Sequence, residues 1–122
     1  MRRNLELNGL AGPACTAQEL RWGSPLPPEW PSFDVVLAAD VVYPTKDPAV
    51  LLALRDTILA LCPLGSPTLL LLGYKPRACE DQEFLRNELL PHFEVVLEDW
   101  KVLGSADADV ASCQIYSCRR AA

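Results

Sequence analysis

The chain is 122 residues long, half hydrophobic and 22% charged, with 11 basic and 16 acidic residues for a net charge of −5. That length can bury the core of one domain, and the mixed composition excludes a disordered or fibrous chain. The acidic balance argues against a nucleic-acid partner, which needs a clustered basic surface.

Arg2-Arg3 and Arg119-Arg120 sit at opposite ends and read as solvated tails. The five cysteines make no C-x-x-C pair and His92 is the sole histidine, so no metal site is expected. Cys62 and Cys113 lie in apolar stretches and read as small core residues. No signal-peptide pattern stands at Met1–Asn4, and no apolar run reaches membrane-spanning length. The expectation is a reduced, soluble protein without membrane contact, cytoplasmic, with the nucleus as a second location.

In chain order, Arg2 to Asn8 (RRNLELN) looks like a helix end stopped by Gly9 in a left-handed capping position. Residues Gly12 to Pro31 carry five prolines and read as loop, with a short strand over Glu19–Trp22. Phe33 to Pro44 (FDVVLAADVVYP) contains an unbroken apolar strand, the pattern of a parallel strand buried on both faces. Ligands of such sheets bind beyond the carboxyl ends of the strands, where Asp40 and Tyr43 stand. Asp47-Pro48 then starts a helix, with an N-cap acid and proline in the first turn. Leu51, Leu54, Ile58 and Leu61 recur at helical spacing until Pro63 and Gly65.

Thr68–Gly73 (TLLLLG) is a second short buried strand, and Glu80–Leu90 a second amphipathic helix with Phe84, Leu85 and Leu89 inward. Phe93, Val95 and Leu97 alternate with Glu94 and Glu98, the period of a strand with one wetter face. Val110–Cys118 makes a final strand, and the loop Gly104–Asp109 permits an antiparallel hairpin. Residues 1–31 thus form a helix end and proline-rich loop, and residues 32–120 an α/β unit ordered strand–helix–strand–helix–strand–strand.

RRNLELNG, ELRWG, FDVVLAADVVY, GYKPR and DVASCQIYSCRR together resemble the carboxyl-terminal half of a seven-strand, Rossmann-like S-adenosylmethionine-dependent methyltransferase. More narrowly, Asp40-Val41-Val42-Tyr43 matches the D-x-x-Y motif of the methyltransferase-like protein-lysine methyltransferases. The resemblance implies S-adenosyl-L-methionine as cofactor and a protein substrate of the chaperone, elongation-factor or AAA ATPase type. It implies the family sheet order 3-2-1-4-5-7-6, of which this chain supplies the partial sheet 4-5-7-6 and lacks the first two strands. Asp40 and Tyr43 take catalytic positions. Trp22, Ala39 and Tyr43 take cofactor-binding ones, with Trp22 at the adenine end. A sulfonium is a cation, which aromatic faces and a carboxylate stabilise, and a target lysine loses its proton more readily when desolvated.

Each residue also has a plainer reading. Asp40 suits a turn that satisfies backbone donors, Tyr43 and Trp22 suit loop packing, and Trp30 and Trp100 read as structural. Tyr74, Lys75 and Arg77 follow a strand tip and could touch substrate; exposed loop residues is the reading taken. None of the six glycines forms a G-x-G after an apolar strand, and the ribose-binding acid after the second strand is missing. The chain therefore reads as a truncated form deficient in cofactor binding, with a non-catalytic interaction module as the alternative. Strand four would keep an open edge, and residues 1–30 would be poorly anchored. The oligomeric state is open.

Overall fold

The computed structural model describes residues 1–10, 12–98 and 113–120. Helix α1 (Arg2–Leu7) is followed by β1 (Val35–Ala39), α2 (Pro48–Leu61), β2 (Leu69–Tyr74), α3 (Cys79–Phe84), β3 (Glu94–Glu98) and β4 (Gln114–Arg119). The four strands form one sheet in the order β1-β2-β4-β3. β1 and β2 are parallel, whereas β4 runs antiparallel to both β2 and β3. This mixed α/β arrangement is the 4-5-7-6 order expected from the sequence, with β1 on the outer edge.

Local chemistry explains the element ends. Gly9 takes φ 64°, its N–H donates to the Glu6 carbonyl, and the Leu10 N–H reaches back to the Leu5 carbonyl. That pair of bonds is a Schellman stop, which needs a residue free to enter the left-handed region. Asp47 caps α2 by accepting from the Ala49 N–H at 3.0 Å, and Pro48 follows in the first turn, where a missing N–H costs nothing. Leu51, Leu54 and Ile58 then fall on one face and are buried.

The core lies on one side of the sheet. In the strand register Val36, Leu70 and Cys118 are neighbours, as are Ala38, Leu72 and Tyr116. These residues pack with Leu51, Leu54 and Ile58 of α2 and with Phe84, Leu85 and Leu89. The opposite face, carrying Val35, Leu37, Leu69, Leu71, Ile115 and Val96, is less well covered. Leu37 is 74% exposed and Val35 48%. The expectation that β1 is buried on both faces is therefore corrected. α2 and the helical segment after β2 both bury their apolar faces on the Val36–Leu70–Cys118 side.

Other sequence expectations also change. Glu19–Trp22 makes no strand, because a strand needs a ladder partner and none stands beside this stretch among the described residues. The proline-rich loop is nonetheless tied down. Gly23 takes φ 80° against α2, where a Cβ would lie 3.1 Å from Ala53 Cβ, and its N–H donates to Thr57 Oγ1 at 2.8 Å. Trp30 is structural as expected: its ring meets Phe33 edge-on and its Nε1 donates to Gln18.

The expected continuous helix over Glu80–Leu90 is α-helical only to Phe84. It widens into a π turn over Leu85–Leu89 and tightens into a 3-10 turn at Leu90–His92, although Phe84, Leu85 and Leu89 do face inward. Leu97 is exposed. Cys113 is exposed as well, since it precedes β4, while Cys118 takes the buried strand position. Arg119 and Arg120 are not free tails. Arg119 donates to the Pro67 carbonyl, and Arg120 to the Leu59 and Cys62 carbonyls at the end of α2, where a cation complements the helix dipole. Trp100, the Gly104–Asp109 loop and residues 110–112 lie outside the described residues.

Candidate functional site

The carboxyl ends of β1 and β2 lie side by side, with Ala39 opposite Gly73. Asp40 continues the ladder by donating its N–H to the Gly73 carbonyl at 2.9 Å, then turns the chain with φ 56°. A left-handed conformation is uncommon outside glycine, and Asp is among the residues that tolerate it best. Val42 is fully buried and pins the loop to the core, while Tyr43 emerges 58% exposed. Pro44 favours an extended Tyr43 backbone. The spacing therefore brings the acid and the phenol out at one strand tip with an anchor between them.

Arg77, in the loop after β2, joins the two. Its Nη1 and Nη2 donate to Asp40 Oδ1 and Oδ2 at 2.6 and 2.9 Å, a bidentate pair. Its guanidinium carbon stands 4.9 Å from the centre of the Tyr43 ring. The Arg77 hydrogen bond holds the Asp40 carboxyl below the usual carboxylate range, with Lys75 adding a weaker pull. The carboxylate, more than half exposed, is thus kept ionised and faces the same cation as the Tyr43 ring.

The Arg77 loop is itself fixed from behind. Asp81 is fully buried, and its carboxylate accepts from the backbone N–H groups of Arg77 (3.2 Å) and Ala78 (3.1 Å). Those donors lie at the start of α3, where a negative charge is favoured. Tyr74 ends β2 in the core, contrary to the exposed reading. Burial, and secondarily the nearby Asp81 carboxylate, push its phenol above the ordinary range, and its hydroxyl meets no partner in hydrogen-bonding geometry among the described residues.

A family model described as lysine methyltransferase matches residues 1–89, nearly three quarters of the chain. The chain belongs to that family. The match spans α1 to the π turn and so contains Asp40, Tyr43, Arg77 and Asp81. No curated protein matches this sequence.

Of the family-derived positions, Ala39, Asp40 and Tyr43 occupy one strand tip. Trp22 lies elsewhere. It lines an open cavity of about 410 Å³ with Leu20, Arg21, Asp47 and Ala53, against the first turns of α2. Asp40, Tyr43 and Arg77 do not line that cavity. Sequence reasoning missed Asp81 and the pairing of Arg77 with Asp40. A signal existed for the second: parallel neighbouring strands put the loops after FDVVLAAD and GYKPR side by side, one carrying an acid and the other a cation. No cluster of His, Cys, Asp or Glu that could hold a metal occurs among the described residues. Among them no helix is long and apolar enough to cross a membrane.

Proposed function

We propose that this chain acts as an S-adenosylmethionine-dependent methyltransferase domain on a lysine side chain of a protein substrate. What carries the reading is one placement. Asp40 and Tyr43, inside the span matched to the lysine methyltransferase family, emerge together at the carboxyl end of a parallel strand. When bound, S-adenosylmethionine supplies an electrophilic methyl group on a cationic sulfonium.

The chain's own residues suit a cation at this point, since the Asp40 carboxylate and the Tyr43 ring already face a guanidinium. Asp40, held ionised, stabilises positive charge at the strand tip. Ala39, a small residue opposite Gly73, leaves room for close backbone approach. Tyr43 offers its ring face to the same cation beside the Asp40 carboxylate. Trp22 would take the adenine end only if the loop that carries it approached the cluster.

The fit covers the sulfonium alone. The amino-acid moiety is expected to need a glycine-rich turn, and none of the six glycines in these 122 residues stands in a G-x-G. We therefore read these 122 residues as having weak affinity for the methyl donor. The substrate class we favour is a chaperone, elongation factor or AAA ATPase in the cytoplasm or nucleus, with no nucleic-acid or membrane partner.

A second reading has its own support. The exposed apolar residues of one sheet face, and a β1 edge without a partner strand among the described residues, favour a non-catalytic protein-interaction module. Calorimetric titration of the 122-residue chain with S-adenosylmethionine, alongside partner capture, separates the two. Measurable binding that Asp40→Asn weakens supports the methyltransferase reading. No binding at millimolar donor, with capture of a partner indifferent to Asp40→Asn, overturns it in favour of the module.

A further inference from the structure

We infer that Asp40 and Tyr43 form a receptor for a small organic cation, and that Arg77 is this chain's own displaceable occupant of it. The inference rests on the proposed methyltransferase reading for its biological ligand, though not for its geometry. A single guanidinium satisfies both walls at once: the carboxylate through two hydrogen bonds of 2.6 and 2.9 Å, the ring at 4.9 Å. A carboxylate and an aromatic face aimed at one point make a cation site whatever cation fills it.

Two observations mark Arg77 as an occupant that can leave. The walls are open to solvent, with Asp40 and Tyr43 each more than half exposed, so a competing cation reaches them without disturbing the core. The Arg77 backbone is meanwhile held independently, because its N–H donates to the buried Asp81 carboxylate. The side chain can therefore swing out while the loop stays in place. An ion pair this exposed is weak whichever cation makes it, and Arg77 Nη1 also reaches the Lys75 carbonyl at 3.4 Å, so displacement takes an external cation in excess. The ligand chemistry is an alkylammonium, as on a lysine side chain, or a sulfonium, as on the methyl donor. Either one has Arg77 as its competitor. Arg77 would thus set a threshold of affinity that only a well-placed cation passes.

The test is a nuclear magnetic resonance titration of the full 122-residue chain with n-butylammonium chloride and, separately, trimethylsulfonium chloride, each against sodium chloride at matched ionic strength. The expected result is a saturable shift of the Tyr43 ring resonances. The Arg77 Nε–Hε resonance should move to its solvent-exposed position with the same midpoint. Arg77→Met should tighten binding about tenfold, the gain when a binding-competent state populated one time in ten becomes the only state. Adding Asp40→Asn to Arg77→Met should abolish binding. Tighter binding of the ammonium assigns the receptor to substrate and tighter binding of the sulfonium assigns it to donor; both uphold it.

An Arg77 resonance that stays fixed while Tyr43 shifts overturns the inference, as do shifts no larger than sodium produces. The first measurement uses the unaltered chain, so it stands even if Arg77→Met fails to fold. Neither salt titration depends on methyl transfer. Failure of catalysis with the receptor intact counts against the function alone, and donor binding with an immobile Arg77 counts against the inference alone.

Discussion

Asp81→Asn is the substitution that most directly tests how the site is held. The carboxylate is fully buried and accepts two backbone hydrogen bonds, from Arg77 and Ala78, at the start of α3. Asparagine keeps the shape but turns one acceptor into a donor that faces an N–H. One charge-assisted hydrogen bond disappears, a loss of about 1.5–3 kcal/mol. The favourable term between a negative charge and the helix start disappears too, worth about 0.3–1 kcal/mol. Together these predict a loss of about 2–4 kcal/mol, a large share of the roughly 6–18 kcal/mol that stabilises a domain of this length. The melting temperature should fall on the order of 10 °C. Urea denaturation followed by circular dichroism measures the loss as a lower midpoint with an unchanged slope. The Tyr43 ring resonances report locally, because loosening the loop frees Arg77 from Asp40 and from the ring. A variant as stable as the parent, within about 0.5 kcal/mol, would refute the reasoning. Burying that charge would then cost as much as its two hydrogen bonds return.

The two faces of the sheet should respond oppositely to truncation. Leu72→Ala removes a fully buried side chain and should cost about 2–5 kcal/mol, whereas Leu37→Thr on the exposed face should stay within about 0.5 kcal/mol; equal losses in urea titration would mean that the covered face has been misassigned. Burial pushes the Cys62 thiol up to about 11 and the Cys118 thiol up to about 12, from an ordinary value of 9.0. A raised value in the folded state means stability that is complete below pH ~9, where both states keep their protons. It is lost as pH rises towards about 11–12, because the unfolded thiols ionise first. The urea midpoint should accordingly decline from pH 8.5 to 10.5, and a flat or rising profile contradicts the assignment. A thiol reagent at pH 8 should modify Cys15, Cys79 and Cys113 quickly, and Cys62 and Cys118 only on unfolding.

Much of this architecture is written in local pattern. The Asp47-Pro48 start of α2, the Gly9 stop of α1 and the apolar strands at Val35–Ala39 and Leu69–Tyr74 all follow from signals a few residues long, because capping and backbone restriction act at that range. Asp40 and Tyr43 were legible as candidates for the same reason: two residues separate them, and the strand before them fixes their position. The absence of a strand at Glu19–Trp22 was not legible, since a ladder partner is a property of the whole sheet. The π turn over Leu85–Leu89 was hidden too, because Leu85 and Leu89 fit a regular helix equally well in sequence.

The sequence by itself determined the strands at Val35–Ala39 and Leu69–Tyr74, the helix that starts at Asp47-Pro48, and the acid–tyrosine pair at a strand tip. Only the tertiary structure decided that Arg77, 37 residues downstream, closes on Asp40 and Tyr43. It likewise decided that Asp81 is the buried support of that loop, and that one face of the sheet is less well covered than the other. The physical reason is range. Propensity and capping are contests within a turn or two of backbone, whereas ion pairing and burial depend on which distant segments the sheet sets side by side.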